Sequence, residues 1–165
     1  MPEKTVQLLF ELAISWETQV RDLYTNFASL FNHEPEISAF WIQLSKDESG
    51  HIYVLKDILK NTPTEKLLTA VVNVEQWNYV TRVEGLIKDT STRNIQTFDD
   101  AYELAHQLEI SEINTMFKML VKDYLPDEEG HKFIMSDFNE HIVRFMKFKK
   151  KYTQSEKRRI NVRSI

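Results

Sequence analysis

Apolar residues recur along most of this chain at alternating intervals of three and four, the spacing of helices that bury one stripe. Over residues 37–58 the stripe reads Ile37, Trp41, Leu44, Glu48, His51, Leu55 and Ile58. A carboxylate and an imidazole therefore stand where the pattern reserves places for core residues. Burying an ionised carboxylate alone is costly, so the pair must be neutralised, matched or bound to a cation. Glu-x-x-His also sets both side chains on one helix face, an arrangement that helical bundles use to hold metal.

The same period extends a first helix from about Glu3 to Phe31, through Val6, Leu9, Ala13, Trp16/Glu17, Val20, Tyr24, Phe27 and Leu30/Phe31. The second runs from about Glu36 to Lys60. Between Thr64 and Asp89, Leu67, Val71, Val74, Trp77, Val80, Val83 and Ile87 keep a helical spacing, and the polar run Thr90 to Asn94 ends it. A third bundle helix reads Phe98, Tyr102, Ala105, Glu109, Glu112, Met116 and Leu120, with two acids in its seam. A fourth starts near Asp127 and reads Ile134, Phe138, His141, Phe145, Phe148 and Tyr152. Pro35, Pro63 and Pro126 fall at the breaks, where proline is tolerated. Two antiparallel hairpins joined by a long, partly helical crossover predict an all-α four-helix bundle over residues 1–152, its second and third helices parallel. Residues 153–165 are left as a basic C-terminal tail.

Composition narrows the chemistry. With 165 residues, 42% hydrophobic content and only three glycines, the chain suits one helical domain. It has no cysteine, so disulfides and thiolate metal sites are excluded, and a bound metal would rely on carboxylate and imidazole: iron, with manganese or zinc as alternatives. No leader pattern and no apolar run of membrane length is seen, which implies a cytoplasmic protein without a membrane partner. Residues 144–165 hold nine Lys/Arg against one acid, leaving 12 basic and 24 acidic residues before them. The tail is read as a solvated helix end whose lysines suit a helix C-terminus, rather than as a nucleic-acid surface.

Counting outward from each turn at about 1.5 Å per residue selects the candidates for one site. Glu17 precedes the first turn by the distance at which Glu48 and His51 follow it, and Glu109 and His141 are level about the second. The string Glu128-Glu129-Gly130-His131 imitates Asp47 to His51 but falls roughly 15 Å away along the axis, as acids of a helix's first turn. Glu103 and His106 imitate Glu-x-x-His yet flank the seam of the third helix, as a surface pair.

Taken together, these residues resemble the ferritin-like di-iron carboxylate proteins, and rubrerythrin-like domains most closely, over about residues 6–152. Glu17 followed by Tyr24, then Glu48-x-x-His51 on the next helix, is similar to the family's first half-site, and Glu109 with Glu112 to its paired third-helix carboxylates. The resemblance implies one or two irons held by Glu17, Glu48, His51, Glu109 and His141, with Glu112 as a sixth ligand and Tyr24 as a hydrogen-bonding or redox partner beside them. It also implies peroxide reduction or Fe(II) oxidation, an external electron donor and a homodimer. Asp47 and Asp137 are expected to hold ring N–H groups of the ligand histidines. The departure is Phe138, which stands where the family has a bridging glutamate on the fourth helix. The alternative it raises is a degenerate bundle with one metal or none, serving as a structural or interaction module.

Overall fold

Among the described residues seven helices make the fold: α1 (Val6–Leu30), α2 (Pro35–Asn61), α3 (Thr64–Thr69), α4 (Val74–Thr90), α5 (Phe98–Glu109), α6 (Glu112–Tyr124) and α7 (Glu128–Arg163). This computed structural model describes the backbone of residues 4–70 and 72–163, and their side chains except those of Glu112 and residues 155–163. Val71 of the expected crossover stripe and the tail side chains from residue 155 onward lie outside the described residues.

Local chemistry sets the helix boundaries. Thr5 caps α1 by accepting from the Leu8 N–H, Pro35 opens α2, and Asn73 and Gln76 form a reciprocal capping box at the start of α4. Asp127 accepts from the Gly130 N–H at 2.8 Å in the first turn of α7.

Pairings along the helices fix the topology. Ala28 meets Ser38 and Thr25 meets Ser45, so α1 and α2 are antiparallel. Glu36 pairs with Lys151, Phe40 stacks on Phe148 at 4.0 Å, and Asp47 reaches Arg144, so α2 and α7 are antiparallel. Tyr102 stacks on Phe145 and Glu109 meets His141, which makes α5 antiparallel to α7 and hence parallel to α2. The expected order of two hairpins and a crossover is present, and the all-α ferritin-like bundle is the observed fold. α7 continues without interruption past Tyr152 to Arg163, and no described helix is long and apolar enough to cross a membrane.

One expected element is different. The third bundle helix is not continuous: α5 ends at Glu109, Ile110 caps it, and Ser111 turns extended (φ −79°, ψ 176°) before α6 begins at Glu112. The Ser111 hydroxyl accepts from the Ile113 N–H and lies 2.6 Å from the Leu108 carbonyl. It thereby satisfies an orphan N–H at the start of α6, which an apolar residue would leave unpaired, and adds a second donor to a carbonyl that already accepts from the Ser111 N–H.

The core is aromatic at one end, where Trp41 packs on Tyr24, Phe27, Phe40 and Phe98 with centroid separations of 4.8–6.0 Å. Gly50, between the two α2 site residues, needs no space of its own: a Cβ there would meet nothing within 4 Å. It occupies the outer face of α2.

Candidate metal centre

Midway along the bundle the apolar core gives way to five buried polar side chains: Glu17 from α1, Glu48 and His51 from α2, Glu109 from the last position of α5, and His141 from α7. None is more than 8% exposed. The residues that the sequence places level are thus brought together. The side chain of Glu112 lies outside the described residues. Its backbone opens α6 while Glu109 closes α5, so the two stand on different helices rather than on the one continuous helix that was expected.

The five groups form two overlapping clusters. Glu17, Glu48 and His51 offer ligand atoms that all lie within 4.8 Å of one another, and so do Glu48, Glu109 and His141. Glu48 belongs to both. Its Oε2 is 2.8 Å from His51 Nδ1, and its Oε1 is 3.5 Å from His141 Nε2. His141 Nε2 also lies 3.1 Å from Glu109 Oε2, and His51 Nδ1 lies 3.7 Å from Glu17 Oε2.

Tyr24, fully buried, donates a 2.7 Å hydrogen bond to Glu109 Oε1. Burial, with Glu109 beside it, holds its phenol well above the ordinary pKa, so it stays a donor. Asp47 faces His141 Nδ1 at 3.0 Å and is itself bound by Arg144 at 2.8 Å and by Gln43 at 2.8 Å. Burial opposes its ionisation, but these hydrogen bonds prevail and lower its pKa to about 2. A charged Asp47 keeps the proton of His141 on Nδ1 and turns Nε2 towards the glutamates.

The expectation for Asp137 is overturned. It is exposed, and His51 Nε2 is buried without a hydrogen-bond partner. The neighbours of the His51 ring are instead aromatic, Phe117 at 4.8 Å and Phe138 at 5.2 Å. Phe138 stacks on Phe117 at 5.3 Å with Lys118 Nζ 4.7 Å from its centroid, so an apolar wall replaces a carboxylate on this side.

The two imitations are separate from the site. Glu128 is exposed and pairs with Lys132 in the first turn of α7, while His106 stacks on Tyr102 beside an exposed Glu103.

Without a cation, protons hold this cluster together. Burial pushes Glu48 up to about 8, and the nearby Glu17 and Glu109 add to the effect against the opposing pull of His51. Burial disfavours imidazolium at both histidines. Glu48 and Glu17 nevertheless raise His51 well above its ordinary value, and Asp47 and Glu109 raise His141 to about 10. Glu109 is lowered despite its burial, by His141, Tyr24 and Asn114. The donor set suits a divalent cation: three carboxylates, two imidazoles, and a Glu17 Oε1 that is buried with no hydrogen-bond partner.

A helical bundle with two Glu/Glu/His clusters sharing one glutamate at its centre has the form of a ferritin-like carboxylate protein. The family model described as Rubrerythrin matches residues 9–139, and the chain belongs to the rubrerythrin family. No curated protein and no solved structure matches it. The family match ends two residues before His141.

The sequence did not expose three features of the site. Arg144 acts through Asp47, Asp47 serves the histidine of another helix rather than its own, and Asn114 reaches back to Glu109. Ser111 followed three residues later by Asn114 was the available signal for the last, being a helix-start pattern inside a helical stripe.

Proposed function

We propose that Glu17, Glu48, His51, Glu109 and His141 hold a pair of non-haem iron ions, and that the chain is an oxidoreductase that reduces peroxide or oxidises Fe(II). The observation that carries this reading is the membership of Glu48 in both clusters, because a shared carboxylate sets two cations side by side. Iron there would supply the electrons that peroxide reduction consumes, and an external donor would restore them, the sequence having no cysteine for a rubredoxin-type centre. Tyr24 holds Glu109 Oε1 and keeps a proton at the edge of the site. Asp47 holds the Nδ1 proton of His141, so Nε2 is the nitrogen that would face a cation once its own proton is displaced. The aromatic surroundings exclude water from the Phe138 side.

The test is Glu48→Ala. Removing the shared carboxylate should abolish retention of both metals and peroxide turnover with them. A variant that keeps both would place the function elsewhere.

The Phe117–Phe138 wall favours a second reading, in which one cation or none is held and the bundle works as an interaction module. Retention of a single iron by the unaltered chain would select it.

A further inference from the structure

Among the five residues of the two clusters, Glu109 alone stands at a helix end, where its main-chain carbonyl has lost its intrahelical partner. A carboxylate at a broken helix has more freedom than one inside a helix, yet Glu109 is engaged from three sides. Tyr24 binds Oε1 and His141 faces Oε2. The third partner is the side chain of Asn114, in the first turn of α6 across the break. Its Nδ2 donates to the Glu109 main-chain carbonyl and lies 3.3 Å from Glu109 Oε2. Both partners are acceptor oxygens, so only the amide nitrogen can face them and the orientation of the side chain is fixed.

We propose that Asn114 is a positioning residue: it ties the Glu109 carboxylate to Glu109's own backbone and so sets the geometry of the Glu48/Glu109/His141 cluster. The inference rests on the metal reading above. It predicts an effect confined to one of the two clusters, since Asn114 has no hydrogen bond to Glu17, Glu48 or His51.

The probe is Co(II), titrated into the full chain and followed by its d–d absorption, with thermal unfolding of the metal-free protein alongside. Asn114→Ala removes the donor, and Asn114→Asp keeps the shape while replacing the donor with an acceptor. Ser111→Ala is the control, because it weakens the same helix start and leaves both Glu109 contacts in place. The expected result is that both Asn114 variants weaken one Co(II)-binding phase at least tenfold and alter its spectrum. The other phase should hold, and Ser111→Ala should leave both phases as in the unaltered chain even where it unfolds at lower temperature. Unchanged titrations in the Asn114 variants would overturn the proposal, and so would a change in Ser111→Ala as large as theirs. An unaltered chain that takes up no Co(II) would overturn the metal reading itself, and this proposal with it.

Discussion

The rings of His51 and Phe138 lie 5.2 Å apart, and His51 Nε2 has no hydrogen-bond partner. A helix position that faces the site is therefore occupied by a side chain that can neither ligate nor accept a proton. Phe138→Glu should have opposite effects with and without metal. A glutamate buried there without a cation should destabilise the chain by about 3 kcal/mol or more, through lost ring packing and an unmatched carboxyl. Loading with Fe(II) should then restore more stability than it adds to the unaltered chain, since a ligand of the native state stabilises that state. Denaturant titrations with and without metal give the comparison.

Tyr24→Phe should leave the fold largely intact, because the ring keeps its contacts with Trp41 and Phe27. Loss of the hydroxyl should cost about 1 kcal/mol. If the proton that Tyr24 keeps at the edge of the site is drawn on in turnover, peroxide turnover should fall on the order of a hundredfold at nearly unchanged metal content. Steady-state assays on protein of measured iron content separate the two effects.

Metal binding should release protons. At neutral pH in the metal-free chain, Glu48, raised to about 8, and His141, raised to about 10, both carry a proton, and His51 is raised as well. A cation must displace those on its ligand atoms, so affinity should rise with pH. Calorimetry in buffers of different ionisation enthalpy should show release of about two to three protons per filled chain, from these three groups.

The Asp47–His141 pair gives the metal-free protein a pH window. Asp47 is lowered to about 2 from an unfolded value near 3.8, so its contribution is present above the unfolded value and lost as pH falls towards 2. His141 is raised to about 10 from about 6.5, so its contribution is complete below 6.5 and lost as pH rises through 10. The pair should stabilise most between about pH 4 and 6.5. Asp47→Asn should flatten this profile at both ends, as measured by chemical unfolding across pH.

Much of this architecture is legible because a bundle translates sequence period directly into burial. Glu17, Glu48, His51, Glu109 and His141 interrupt apolar stripes, and a polar group in a stripe has nowhere to go but inward. The break at Ile110 and Ser111 was hidden for the same reason: Phe98 to Leu120 keep helical spacing on both sides of it, and a two-residue interruption shifts the stripe too little to erase it. The partners of Asp47 were equally hidden. The period places a residue on a face, whereas the choice between the histidine of its own helix and that of the next depends on how far neighbouring helices are rotated. Asp137 shows the limit from the other side, since a sequence equivalence with Asp47 could not tell that α7 turns it to solvent.

Iron content per chain, measured by elemental analysis after anaerobic Fe(II) loading and desalting, tests the shared-glutamate centre most directly. With Glu48 serving both clusters, about two irons should remain per chain, and Glu48→Ala should retain none. An unaltered chain that retains no iron would contradict the centre and leave a ferritin-like bundle whose function resides on its surface.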